Sequence, residues 1–408
     1  MKLLFPRSST GLLTRSLRDY PVVVVTGPRQ AGKSTLLRQA LPDWQMLSLE
    51  DLDMREFASS DPRAFLQRYP APVIIDEAQR VPGLLSYIQT AVDTSTRMGL
   101  YVLSGSQQFS LLAGVTQSLA GRASLIELHP LRLKELADGG GSPKSLDAYL
   151  LQGGYPAVHA RGLDAQRYYA DYVASYLERD VRSLSAVQDL GNFQRFMRLC
   201  AARTGQLLNL NALANDCGIS QPTANAWMNL LEASFIVKRI APYHRNFGKR
   251  LVKAPKLYFL DTGLCAWLLG ITSERDMQTH YARGALFETW AVTEALKWRA
   301  VRGNAQPLYF WRDNIGNEVD LLLEQDGGIT LVEVKSGQTF QPGWLKNLTT
   351  VQRHMCQTMT ENMPQNMSRH AAQHADPPTR NAVLYGGDLS ASRSDAELVG
   401  WRDLVRAG

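Results

Sequence analysis

The chain has 408 residues, 45% apolar and 20% charged, a globular profile too long for a single core, so two to four domains are expected. The formal charge of +6 is uneven: residues 191–260 hold ten Lys and Arg against Asp216 and Glu232, a segment charge of +8 that leaves −2 for the remainder. Such a block suits either a polyanion-facing surface or a solvated basic face. A transmembrane span is not expected, since no run of about 18 apolar residues occurs, and the opening MKLLFPRSST has too short an apolar stretch for a signal peptide. Four scattered cysteines without paired spacing argue against a disulfide framework or a cysteine zinc site and suit a reducing cytoplasm.

From 22 to 128, short apolar runs alternate with amphipathic stretches. VVVVT (22–26), MLSL (46–49), VII (73–75), LYVLS (100–104) and LIEL (125–128) read as strands of a parallel sheet covered on both faces. The first strand leads into Gly27, Pro28, Arg29, Gln30, Ala31, Gly32, Lys33 and Ser34, a full G-x-x-x-x-G-K-[ST] match, with Thr35 next on the helix that follows. Glycines let such a loop wrap a phosphate, and its amides and the helix N-terminus supply positive potential. Lys33 is expected on the β- and γ-phosphates of ATP or another triphosphate, and the Ser34 hydroxyl on Mg²⁺.

PVIIDEAQR places Asp76 and Glu77 at a strand tip, where open α/β sheets bind ligands. Asp76 is the expected Mg²⁺ partner and Glu77 the base for the attacking water. At the next tip Ser104, or else Gln107, is a candidate γ-phosphate sensor, with turn capping as the plainer reading. Arg122 in SLAGRASL is a candidate arginine finger for a neighbouring subunit, which implies a homo-oligomer; a surface arginine is the alternative.

DGGGSPKS (138–145) breaks the pattern, and 146–190 reads as a helical connector with Tyr168, Tyr172 and Tyr176 as a core stripe. Residues 207–240 read as a helix, a turn near Gly218, a second helix capped by Ser220 and a strand, which with the basic loop at 243–253 forms a β-wing, the pattern of a winged helix. Gln221, Thr223, Asn225 and Asn229 would face DNA bases, and Arg245, Lys249, Arg250 and Lys253 would meet phosphates. Docking of a protein partner is the competing use. A helix from 283 leads into a β-rich block at 308–335. There Glu318 and Asp320 share one strand face, with Val319, Leu321 and Leu323 on the other, and Glu333 and Lys335 share a face of the next strand. Embedded acids need a partner; a divalent ion (Mg²⁺ or Mn²⁺) on Asp320 and Glu333 supplies one, with Lys335 poised to stabilise a transition state. The polar stretch 352–380 reads as a flexible insertion, and its His354, His370 and His374 as solvated rather than metal-binding.

The ordered set of P-loop, Asp76-Glu77, Ser104-Gly105-Ser106, SLAGR, GGYP (153–156), YLERDV (176–181), YFLDTGL (258–264), GALFE (284–288) and EVDLLL…LVEVKSG (318–337) resembles the AAA-type ATPases of bacteria and archaea that carry a C-terminal domain of unknown function. The resemblance implies an α/β fold: a P-loop NTPase parallel sheet with helices on both faces (1–145), the connector (146–190), a winged-helix domain (191–275) and a restriction-endonuclease-like α/β domain (280–408) with an insertion near 352–380. The Asp320, Glu333, Lys335 arrangement resembles PD-(D/E)XK nucleases, in which a helical glutamate, here Glu288, completes the metal set. The expected function is a cytoplasmic, ATP-hydrolysing protein acting on DNA, with a metal-dependent nuclease-like C-terminal domain. The alternatives are a nucleotide-switched DNA-binding regulator whose nuclease fold is inactive, and an ATPase that remodels a protein partner.

Overall fold

The computed structural model describes residues 5–106, 118–177, 189–243, 252–303, 306–325, 328–361 and 379–405. Helix α1 (Thr10–Asp19) precedes β1 (Val22–Thr26), α2 (Lys33–Ala40), β2 (Gln45–Ser48), α3 (Leu52–Ser60), α4 (Pro62–Arg68), β3 (Val73–Asp76), α5 (Leu84–Asp93), β4 (Tyr101–Ser104) and β5 (Ala123–Glu127). The five strands form one parallel sheet in the order β2-β3-β4-β1-β5. Alternate residues of β1 serve two cores. Val23 and Val25 pack with Leu36 and Leu37 of α2, whereas Val22 and Val24 pack with Phe65, Leu84 and Ile88 on the opposite face. That double coverage explains the uninterrupted valines. Register sets Asp76 beside Ser104 and Ser104 beside Val25, so the tips of β1, β3 and β4 converge at one edge.

Helices α6 (Leu133–Asp138), α7 (Leu146–Gln152), α8 (Pro156–Arg161) and α9 (Ala165–Tyr172) follow, the last running into a π-turn at Val173–Leu177. Next come α10 (Leu190–Ala201), β6 (Gln206–Leu207), α11 (Leu210–Cys217), α12 (Gln221–Ala233), β7 (Val237–Pro242), β8 (Lys256–Phe259), α13 (Thr262–Leu268), α14 (Glu274–Thr279) and α15 (Arg283–Arg302). The turn before α12 uses Gly218 at φ 69° and the Ser220 hydroxyl, which accepts from the Thr223 amide at 3.2 Å. The chain closes with β9 (Tyr309–Arg312), β10 (Glu318–Gln325), β11 (Gly328–Lys335), α16 (Leu345–Glu361), β12 (Thr379–Tyr385), β13 (Ala391–Ser392) and β14 (Glu397–Gly400).

A second sheet of nine strands runs β13-β14-β12-β11-β10-β9-β7-β8-β6. It is continuous across 275–280, where two domains are expected to meet: β7 bonds to β9 in parallel through Ala241 with Tyr309 and Pro242 with Phe310. One core likewise joins Trp227 and Tyr258 to Phe287, Phe310 and Leu321.

Two expectations are corrected here. The register of β10 shifts between Val319 and Leu322, and this bulge breaks the strict alternation. Val319 and Leu322 therefore share one core while Leu321 and Leu323 pack in the other. The flexible insertion expected at 352–380 is overturned at both ends: 352–361 complete α16, whose Leu348, Val351 and Met355 form a buried stripe at helical spacing, and 379–380 open β12, while 362–378 lie outside the described residues. His370 and His374 lie outside the described residues, as does the side chain of His354.

Candidate functional site

The P-loop turns tightly after β1. Gly27 has φ 145°, and a Cβ there would stand 2.1 Å from the Leu128 carbonyl oxygen, so only glycine fits. Gly32, at φ 93°, opens α2, and among the described residues no side chain caps that helix, leaving its first amides for an anion. Arg7, far away in sequence, donates to the Ala31 carbonyl at 2.6 Å and the His129 carbonyl at 2.6 Å, and pairs with Glu135 at 3.2 Å. A trans peptide points its C=O and N–H in opposite directions. The Arg7 bond to the Ala31 carbonyl therefore also fixes the orientation of the Gly32 amide.

Lys33 is buried and its ammonium donates to the Gly27 carbonyl at 2.9 Å and the Pro28 carbonyl at 2.8 Å. Burial lowers its pKa to about 8, although Glu77 and Asp76 oppose the shift. Ser34 donates to Asp76 Oδ2 at 3.0 Å, and Ser104 donates to Asp76 Oδ1. Glu77 sits at φ 56°, a left-handed conformation that costs a non-glycine residue, and its carboxylate accepts from Gln79 at 2.5 Å and from Ser106 at 3.4 Å.

These groups face a cavity of about 700 Å³ whose far wall is the connector. Pro156, Ala157, Ala160 and Arg161 of α8 and Tyr168 and Tyr172 of α9 line it opposite Arg29, Gln30, Lys33, Ser34, Thr35 and Glu77. The Tyr168 hydroxyl reaches across to donate to Gln30 Oε1 at 2.7 Å. The tyrosine stripe is thus core, as its spacing suggests, and also a wall of the site; the side chain of Tyr176 is outside the described residues.

Ser104 and Arg122 both have partners within the chain. Ser104 is fully buried and donates its hydroxyl to Asp76, whose carboxylate it aims; Gln107 lies outside the described residues. Arg122 pairs with Asp93 at the start of β5, and its carbonyl accepts from the Val22 amide, at the end of β1 remote from the P-loop. Arg7, Arg161, Pro156 and the Tyr168–Gln30 link lacked any sequence reading as site residues. Only the GGYP run hinted at Pro156, and nothing periodic marks Arg7.

In the helix-turn-helix, Gln221 and Asn225 of α12 are exposed, Thr223 bonds to Ser220 at 2.7 Å, and Asn229 is engaged by Arg239 at 2.9 Å. The basic block is partly spent. Arg203 pairs with Asp216, Arg239 with Glu232, and Lys256 is buried, whereas Arg195, Arg198 and Lys253 are exposed. Arg245, Lys249 and Arg250 lie outside the described residues.

The C-terminal acids gather differently from the expected set. One oxygen each of Glu288, Glu318 and Asp320 lies within 4.8 Å of the others. Glu333 is not in this group; it pairs with Lys335 at 2.6 Å. Its partner strand supplies Glu318 instead, which the shared face of Glu318 and Asp320 had indicated. Burial, then the charges of Glu288 and Glu333, holds the Asp320 carboxyl well above its usual range. An all-oxygen trio suits a hard divalent cation, but the Lys256 ammonium stands among the same oxygens: 2.8 Å from Glu288, in contact with Glu318, and 3.9 Å from Asp320. The residues present therefore do not fit a metal here.

A parallel sheet with a P-loop at the tip of an interior strand, and an acidic pair on the strand two places away, defines a P-loop nucleotide-binding ATPase domain. Residues 19–137 match the model of an AAA domain, 143–275 a domain of unknown function (DUF8612), and 283–402 a domain of unknown function (DUF4143). Uncharacterized proteins of Mycobacterium tuberculosis and Mycobacterium bovis are each 31% identical over 338 residues, covering 82% of this chain and 74% of theirs. The chain belongs to the same family as these proteins, and it carries a P-loop AAA domain followed by a C-terminal DUF4143 domain. A Walker-type ATPase of Pyrococcus abyssi aligns with TM-score 0.46 at 16% identity, over 65% of this chain and 96% of that one. No helix among the described residues is long and apolar enough to cross a membrane.

Proposed function

We propose that the protein is a nucleotide-driven DNA-binding ATPase in which hydrolysis at the P-loop is sensed by the connector and passed to the helix-turn-helix. The observation that carries this reading is the shared cavity: Lys33, Ser34 and Glu77 form one wall and α8 and α9 the other, bridged by Tyr168 and Gln30. Tyr168 and Tyr172 belong to the same core as Phe193, Phe196 and Trp227 of α10 and α12. A triphosphate that reshapes the P-loop thereby pushes on the helices that would hold DNA.

In the reaction, Gly32 and the first amides of α2 hold the phosphates. Lys33 leaves the Gly27 and Pro28 carbonyls to reach them, as a lysine with lowered pKa does readily. Glu77 takes a proton from water, whose oxygen attacks the γ-phosphorus while the bond to the β-bridging oxygen of ATP breaks, giving ADP and inorganic phosphate. Mg²⁺ would be held by Ser34 and Asp76, the latter aimed by Ser104, and supplies charge neutralisation at the phosphates. Exposed Gln221 and Asn225 would contact bases, and Arg195, Arg198 and Lys253 phosphates. Two helices followed by β7 and β8 support a winged helix; α15 against the mixed sheet of β9 to β12 supports a nuclease-like fold. The domain limits proposed are 1–145, 146–190, 191–275 and 280–408.

The test is a DNA-binding titration with ATP, ADP or no nucleotide. Wild type is expected to change DNA affinity with nucleotide state, Lys33→Ala to lose that dependence, and the Gln221→Ala, Asn225→Ala pair to lose DNA binding while keeping ATP turnover. DNA affinity that ignores nucleotide and survives the double substitution would sink the DNA reading in favour of a protein partner.

A further inference from the structure

Lys256 opens β8, in the middle of the chain, yet its side chain is only 2% exposed and points into the C-terminal acids. An ammonium withdrawn this far from water persists where protein oxygens replace its hydration, and here they are carboxylates. Here Glu288 comes from α15 and Glu318 and Asp320 from β10, so two elements converge on the nitrogen that β8 supplies. Further donors hold each member of the trio. Glu288 Oε1 accepts from the Tyr258 hydroxyl at 2.6 Å, Glu318 Oε2 pairs with Arg312 at 2.7 Å, and Asp320 Oδ2 accepts from the Val334 amide at 2.8 Å.

A divalent ion and an ammonium seek the same point, the spot shared by three carboxylate oxygens. With Lys256 in place, an incoming metal meets a cation at close range in a poorly screened interior. Removing the ammonium leaves three oxygens within 4.8 Å of one another, a spacing a hard cation closes by modest contraction. We propose that Lys256 is the resident cation of the C-terminal acidic cluster, excluding divalent metal and clamping β8 to α15 and β10. The inference is independent of the nucleotide site. It makes a structural joint of a cluster whose residue types match a metal-dependent nuclease.

The test is Mn²⁺ binding to the nucleotide-free full-length protein, read by the loss of the free-ion electron paramagnetic resonance signal. Wild type and Asp320→Asn are expected to bind Mn²⁺ indistinguishably. Lys256→Met is expected to gain one Mn²⁺ per chain at least tenfold tighter than any wild-type binding, and to lose it again when Asp320→Asn is added. Should Lys256→Met fail to fold, the charge-matched pair Lys256→Met, Glu318→Gln, which keeps Glu288 and Asp320, is expected to gain the same site. Wild-type Mn²⁺ binding that Asp320→Asn abolishes would overturn the proposal, as would folded lysine variants that gain no site.

Discussion

Lys33 and Lys256 are both nearly inaccessible lysines set among acids, and they behave in opposite ways. Burial pushes each ammonium toward neutrality. At Lys33 burial prevails over Glu77 and Asp76, and the pKa falls to about 8. At Lys256 burial is outweighed by Glu288, Asp320 and Glu318 together, and the pKa rises. The first lysine rests on two backbone carbonyls beside a cavity of about 700 Å³; the cavity's lining includes none of Glu288, Glu318, Asp320 and Glu333. What separates a working cation from a structural one is therefore an open side and replaceable partners, not the residue types nearby.

That contrast can be broken in several places. Lys33→Ala should reduce ATP turnover by about 10³-fold or more, with binding of a fluorescent nucleotide lost in parallel; turnover near wild type would strip the P-loop lysine of its role. Glu77→Gln should lower kcat by about 10²–10⁴-fold while nucleotide affinity stays within a few-fold, measured by steady-state turnover alongside equilibrium titration. An equal fall in both would recast Glu77 as a binding residue. Lys256→Met should destabilise the fold by about 3–5 kcal/mol in chemical denaturation, since it strands buried carboxylates, and leave nucleotide affinity unchanged. Arg7→Ala should weaken nucleotide binding by about 10-fold, the size of one charged hydrogen bond, through a misaimed Gly32 amide.

The smallest effect is in protons. Because the folded pKa of Lys33 lies below its unfolded value, the unfolded chain binds more protons above pH 8, and this group's contribution to stability rises with pH from about 8 to 10.5. Phosphates favour the charged lysine, so nucleotide binding should take up almost no proton at about pH 7 and most of one at about pH 9, with affinity falling as pH rises through 8. Calorimetry in buffers of different ionisation enthalpy reads this directly, and Lys33→Arg should erase it.

The parallel sheet was legible because strands buried on both faces read as unbroken apolar runs, and the P-loop because its glycines answer backbone demands that few other residues meet. The turn before α12 was legible for the same local reason, through Gly218 and Ser220. What escaped is non-local. Arg7 lies 24 residues from the carbonyl it holds, and no spacing rule connects them. Lys256 counted as one more basic residue in a basic block, since charge composition does not say which lysine turns inward. The stripe on α16 was masked by polar neighbours, and the β10 bulge moved Leu321 to the other face by inserting a residue that alternation does not foresee.

The nine-stranded sheet has a practical consequence for anyone dissecting the chain. Cutting at 275–280 would leave β7 on one fragment and β9 on the other, each with a raw hydrogen-bonding edge where Ala241 had met Tyr309 and Pro242 had met Phe310. The same cut strips Lys256 of its three acids and uncovers the aromatic core between the halves. Fragments that look like tidy modules in the sequence should therefore be sticky, and pieces that reassemble when mixed would behave as two parts of one rigid lever rather than two beads on a string.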